Sequence, residues 1–207
     1  MSTHSETEPE SSQSESFRLF VAVALPLQVR EAIERAQTTL RRALPGELAR
    51  WTKQEQFHLT MRFLGNVNAR QVPKLESKLR DACHPFSPMT LQATGVGFFP
   101  EKRPPRVLWV GLQEQTHQIS NLFRAIQDAT RPFSSEPVEE DFSAHITLAR
   151  IKRIQRREAE QLKQAAAGLR DATFGEWMAE EVHLMRSQLS PAGARHTVVA
   201  KFALGAG

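Results

Sequence analysis

Alternation of apolar and polar residues divides the chain into short strands and amphipathic helices. Residues 17–25 (FRLFVAVAL) form an apolar, β-branched run that stops at Pro26, the pattern of a buried strand. Over 28–43, Val29, Ile33, Ala36 and Leu40 recur at helical spacing with Arg and Glu on the other face. Pro45-Gly46 marks the next turn. Residues 57–65 (FHLTMRFLG) alternate, which predicts a strand with Phe57, Leu59, Met61 and Phe63 on one face and His58, Thr60 and Arg62 on the other. A helix over 69–82, with Val72, Leu75 and Leu79 inward, ends before Pro85 and Pro88. Strands at 89–97 and 106–112 flank a proline-rich basic loop, FFPEKRPP.

The second half repeats this order. A helix at 116–130 carries Ile119, Leu122, Phe123 and Ile126 on one side, and a loop with Pro132 and Pro137 leads to a strand at 143–150 (SAHITLAR). A helix near 155–168 and strands near 180–188 and 196–204 complete the chain. Each half contains a His-x-Thr strand, and the two histidines, His58 and His145, lie 87 residues apart. The expected fold is α+β: a bilobal pseudo-twofold duplication, with two facing antiparallel sheets flanked by helices and a cleft between them.

Composition narrows the classes. The 207 residues carry 40% hydrophobic and 24% charged side chains, as a globular protein does. Residues 1–16 hold four glutamates and neither Lys nor Arg. They are expected to be a disordered acidic leader, with 17–207 as one folded unit. Of the 27 basic and 23 acidic residues, all but those four glutamates lie in that unit, a net of 27 − 19 = +8. This charge suits an anionic partner such as nucleic acid or a phosphate ester. No apolar run reaches membrane-spanning length, and the start lacks the basic and apolar regions of a signal peptide. A cytoplasmic protein is therefore expected, and nothing in the sequence demands an oligomer. The single cysteine, Cys83, has no local nucleophile signature and reads as a buried, inert thiol. The histidine spacings match no recognised zinc pattern, so no metal or other cofactor is expected.

The chemistry concentrates in His58-Leu59-Thr60-Met61 and His145-Ile146-Thr147-Leu148. On a strand, residues i and i+2 share a face about 6–7 Å apart. An imidazole that transfers protons near neutral pH then stands beside a hydroxyl that donates to a phosphoryl oxygen. Two such strands around one phosphate supply a general acid and a general base.

The blocks FRLFVAVALP, FHLTMRFLGNV, GVGFFP, PPRVLWVGL and FSAHITLARI, in this order, resemble the 2H phosphoesterase superfamily. More narrowly, they resemble the RNA 2′,3′-cyclic phosphodiesterases of bacteria and archaea, once called 2′-5′ RNA ligases. The resemblance covers about residues 17–204. It implies a bilobal fold with a central cleft and metal-independent opening of 2′,3′-cyclic phosphates at RNA ends to 2′-phosphates. It implies His58 as proton donor, His145 as proton acceptor, and Thr60 and Thr147 as donors to the non-bridging oxygens. Arg106 and Arg150 match family positions and are candidates for the phosphate, although Arg150 has the opposite strand parity to His145. Arg62 and Phe142 are further substrate-binding candidates, Arg62 through the face it shares with His58. Phe98, Phe99, Lys102 and Arg103 are candidates for lining an RNA groove, and Trp109 for the core. His196 stands where related sequences often have tyrosine, a residue this chain lacks. The partners implied are RNA with 2′,3′-cyclic phosphate ends or cyclic nucleotides. An RNA- or nucleotide-binding module with little catalysis, and 2′-5′ ligation by the reverse chemistry, are alternatives.

Overall fold

A computed structural model describes residues 15–44, 48–101, 103–191 and 193–205. Residues 1–14, most of the expected acidic leader, lie outside the described residues, as do Pro45-Gly46 and Lys102. The first half runs β1 (Ser16–Ala24), α1 (Leu27–Ala43), β2 (Ala49–Trp51), β3 (His58–Asn68), α2 (Val72–Cys83) and β4 (Met89–Phe99). The second runs β5 (Val107–Gln113), α3 (Gln118–Thr130), β6 (His145–Ile151), α4 (Arg156–Ala167), β7 (Thr173–Ala179), β8 (Glu181–Ser190) and β9 (Gly193–Ala203). Strand β1 starts at Ser16, and Ala69 N–H donates to the Glu15 carbonyl.

Two antiparallel sheets form, ordered β3-β1-β8-β9 and β2-β6-β5-β4-β7. The halves exchange elements. Strand β4 joins the sheet of β5 and β6, while β8 and β9 join that of β1 and β3. The helices exchange as well. Val29, Ile33 and Leu40 of α1 pack with Leu162 of α4 on Leu108, Ile146 and Leu148. Leu75 and Leu79 of α2 pack with Leu122 and Phe123 of α3 on Leu19, Val21, Leu59 and Met61. Each sheet thus buries its apolar face under one helix from each half. Each fully buried Leu, Ile or Phe contributes about 1.5–3 kcal/mol through the water-accessible area it removes.

The 87-residue repeat extends to a backbone irregularity. In β3, Thr60 and Arg62 oppose the adjacent residues Ala22 and Val21, so Met61 is an extra residue. In β6, Thr147 and Ala149 oppose the adjacent Trp109 and Leu108, so Leu148 is extra. These are β-bulges, which turn the side chains that follow to the opposite face; in β3 a second bulge, at Leu64, reverses the parity again. The burial patterns agree: Met61 and Arg62 are consecutively buried before exposed Phe63, and Leu148 and Ala149 before exposed Arg150. The expected alternation over 57–65 therefore ends at Met61, with Arg62 turned inward and Phe63 outward.

A buried glutamine holds each bulge. Gln127 Nε2 on α3 donates to the Met61 carbonyl at 3.0 Å, and Gln37 Nε2 on α1 donates to the Leu148 carbonyl at 3.0 Å. Gln37 also donates to Thr52 O at 2.8 Å. The Leu148 carbonyl also accepts from Thr52 N–H at 2.8 Å, so Gln37 is its second donor; a bulge carbonyl turned away from water needs such partners. Gln127 Oε1 in turn accepts from Arg62 Nη1 and from Glu139 N–H. Replacing Gln127 with Leu is expected to destabilise the fold by about 1–3 kcal/mol, the cost of a buried group left unpaired; Gln37→Leu should destabilise it by less, since the Leu148 carbonyl keeps its bond from Thr52 N–H. Gln127→Leu also takes one acceptor from Arg62, which keeps the carbonyls of Pro137 and Glu136. Urea unfolding of both variants checks this; wild-type midpoints for both would show that the amides do not hold the bulges.

Candidate active site

The two His-x-Thr strands meet at one cleft of about 260 Å3, lined by His58, Thr60, Thr147 and Arg150, with Arg50, Phe20, Phe63, Glu136 and His196 around them. His145, which opens β6, is not itself among the residues lining the cleft, but its charge acts on His58. Phe99 meets the His145 ring edge-on at 5.1 Å and packs on Trp109 at 5.2 Å. That packing requires glycine at 97, where a Cβ would lie 2.2 Å from the Trp109 ring.

Both imidazoles are oriented in the same way. His58 Nδ1 lies 2.7 Å from the Gln56 carbonyl, and His145 Nδ1 lies 2.7 Å from the Ser143 carbonyl. A carbonyl only accepts, so each Nδ1 keeps its proton and donates. Nε2 is left as the exchangeable atom on each ring, a base when neutral and an acid when charged. The same carbonyl at i−2 in both halves follows from the repeat.

The two rings differ electrostatically. Burial lowers the His58 pKa to about 4; the charges of His196 and His145 act in the same direction, against the Gln56 carbonyl. Burial also lowers the pKa of His196. Without ligand, His58 is therefore neutral at physiological pH. An anion beside it favours the imidazolium and opposes the desolvation.

The bulges decide which expected residues reach this cleft. Arg150 lines it because Leu148 is the extra residue that corrects its parity. Arg62 does not share the face of His58. It is 2% exposed and donates to the carbonyls of Pro137 at 2.8 Å and Glu136 at 3.0 Å, clipping that loop onto β3. Its expected place beside the substrate is thus corrected: the guanidinium is spent on loop carbonyls, and Phe63 takes the cleft position. Phe142 stacks on Phe123 at 4.2 Å, in the core under α3 rather than in the cleft. Arg106 is exposed and uses its backbone, donating to Phe99 O and accepting from Ile151 N–H, both at 2.7 Å; it is not among the cleft-lining residues. Phe98 is half-buried against the core that α1 and α4 cover, away from the cleft.

The cleft also contains residues that the sequence pattern did not single out. Arg50 sits on β2, a strand of three residues, too short to show alternation. It pairs directly opposite Arg150 across β2 and β6. Like charges so placed repel, and among the described residues neither has an ion-pair partner. An anion in the cleft relieves that repulsion. Phe63 is the repeat equivalent of Arg150, so one bulge presents an aromatic ring and the other a guanidinium. Cys83 is fully buried, and burial pushes its thiol up to about 12. Among the described residues no group of three or more His, Cys, Asp or Glu is placed to hold a metal ion, and no helix is long and apolar enough to cross a membrane.

Comparison with known proteins adds to this geometry. The family model described as LigT like Phosphoesterase matches twice, over residues 23–109 and 110–196, with the same 87-residue offset that relates the two histidines. An RNA 2′,3′-cyclic phosphodiesterase of Methanothermobacter thermautotrophicus is 30% identical over 187 residues, covering 90% of this chain and 98% of the relative. One from Thermus thermophilus is 31% identical over 194 residues, covering 90% of each. A crystal structure of a Thermus thermophilus protein superposes with a TM-score of 0.72 at 29% identity, over 90% of this chain and 97% of that one. E. coli LigT complexed with 3′-AMP shares the fold, with a TM-score of 0.72 at 23% identity over 92% and 99% of the two chains. With two tandem matches spanning both His-x-Thr strands, the chain belongs to the LigT-like 2H phosphoesterase family.

Proposed function

We propose that this protein hydrolyses 2′,3′-cyclic phosphates at RNA ends to 2′-phosphates, by acid–base catalysis that needs no metal. The observation that carries the reading is the matched pair of imidazoles. Each is fixed through Nδ1 by a carbonyl two residues earlier, and each belongs to a bulged strand facing one cleft. The relatives named as RNA 2′,3′-cyclic phosphodiesterases support the substrate.

Each atom has a place in the step. His145 Nε2 takes a proton from water as that oxygen attacks phosphorus in line. The bond from phosphorus to O3′ breaks, and His58 Nε2–H protonates the departing oxygen. The product keeps phosphate on O2′, and the two histidines exchange protonation states, which solvent resets. The hydroxyls of Thr60 and Thr147 donate to the non-bridging oxygens. The guanidiniums of Arg150 and Arg50 stabilise the charge that builds there. The bound phosphodiester raises the proton affinity of His58, so binding recruits the acid.

Hydrolysis of a dinucleotide ending in a 2′,3′-cyclic phosphate is expected to proceed in EDTA and to yield the 2′-phosphate. His58→Ala and His145→Ala should each lower kcat by about 10²–10⁴-fold, the usual worth of a positioned acid or base. Full activity in either variant, or a 3′-phosphate product, contradicts the roles.

Titration of the His58 ring gives a separate check. Its NMR midpoint should lie near 4 without ligand and rise when 2′-AMP fills the cleft. The same shift has a stability consequence. The unfolded chain binds this proton at the ordinary value of 6.5 and the native state only near 4, so His58 destabilises the fold progressively as pH falls through that window. Chemical unfolding of His58→Gln should show a shallower loss of stability between pH 6.5 and 4 than wild type. An equal slope contradicts the burial account.

A further inference from the structure

The pseudo-twofold axis relates His58 to His145, but their surroundings differ. Phe20 lies 5.0 Å from the His58 ring, His196 meets it edge-on at 5.6 Å, and Phe20 and His196 contact each other at 4.9 Å. His58 is thus the corner of a three-ring cluster. Gln56 joins that cluster to the opposite wall. Its carbonyl accepts from His58 Nδ1, and its side-chain Nε2 donates to the carbonyl of Ala194, two residues before His196 on β9. The repeat equivalent of Gln56 is Ser143, whose side chain is too short for such a span.

Strand β9 is the last strand of its sheet and pairs only with β8, so its outer edge has no neighbouring strand. At its start Gly193 pairs with Ser190 of β8, and exposed Leu189 and half-buried Ala194 line the cleft mouth. A strand end held from one side swings easily. The Gln56 amide supplies the second hold, at the point that sets where the His196 ring rests.

We propose that Gln56 and His196 form a clamp that fixes the His58 ring in the cleft, both acting as positioning residues for its proton transfer. The proposal rests on the reaction assigned above. The clamp fixes the ring from two sides: Gln56 through the backbone at Nδ1, and His196 through packing that shares Phe20. A misplacement of about 1 Å at a proton-transfer centre costs on the order of 10²-fold in rate, so loss of either contact reaches the chemistry.

The test uses the full chain and three variants: Gln56→Met, which keeps the side-chain length without the donor, His196→Ala, and His196→Phe, which keeps a ring. Two readouts are taken, the NMR titration of the His58 ring without ligand and kcat against KM on the cyclic-phosphate dinucleotide. In Gln56→Met and His196→Ala, the His58 midpoint should rise from about 4 toward 6.5 as water reaches the ring. In both, kcat should fall about tenfold or more while KM moves less than about threefold, the signature of lost positioning rather than lost binding. His196→Phe should keep kcat within about threefold of wild type because ring packing survives. Arg18, Arg50, Arg150, Glu136 and His145 also face or neighbour the cleft and are unchanged in all three. His196→Ala and His196→Phe both remove the His196 charge that lowers the His58 pKa, so the clamp is read from Gln56→Met and from a higher midpoint in His196→Ala than in His196→Phe. An unmoved midpoint in Gln56→Met and His196→Ala overturns the proposal. If wild type fails to turn over the dinucleotide, the assigned reaction falls, and the titration alone decides the clamp.

Discussion

The architecture of the cleft depends on one contact made twice: a buried glutamine amide donating to the carbonyl of a bulged residue. Gln127 serves Met61 and Gln37 serves Leu148. Without the bulge, a period of two would send Arg150 to the core side and Phe63 under the helices. With it, the histidine, the threonine and the residue three beyond the threonine share the cleft face. The exchange of helices between halves makes this work, since the glutamine arrives on a helix that packs against the sheet carrying the bulge.

Duplication explains the pairing of the two imidazoles, and its imperfections explain how they differ. The same carbonyl fixes both imidazoles, so both are competent in either protonation state. His58 is then packed among Phe20 and His196, while His145 meets Phe99. Burial leaves His58 with a weak hold on its proton until an anion arrives. The bulged strands are likewise unequal, with Arg150 on one and Phe63 on the other. The cleft therefore has a cationic wall, reinforced by Arg50, and an aromatic wall. A phosphate ester of a nucleoside has the matching pair of surfaces.

Much of this is legible in the residues. The four helices, seven of the nine described strands and the 87-residue repeat follow from apolar periodicity. The imidazole and hydroxyl pairs follow from i, i+2 spacing. The bulges are not legible, because an extra residue in an alternating run looks like ordinary alternation until its partner strand is known. Two errors share that cause: alternation puts Arg62 in the cleft and Phe63 in the core. The parity conflict of Arg150 is the one visible trace of the bulge. Gln37 and Gln127 give no signal because glutamine on an amphipathic helix is ordinarily solvated. Arg50 is hidden in a strand of three residues, and β7 is interrupted by Gly175. Gln56 precedes an evident strand, and nothing local shows that its amide crosses to Ala194.

The central claim is that two bulged His-x-Thr strands surround one phosphate. The most direct measurement is a crystal structure with 2′-AMP bound. The phosphate is expected within hydrogen-bond distance of Nε2 on both His58 and His145, with the Thr60 and Thr147 hydroxyls and the Arg150 guanidinium on its oxygens. A phosphate that contacts one histidine alone, or that settles outside the cleft, would contradict it.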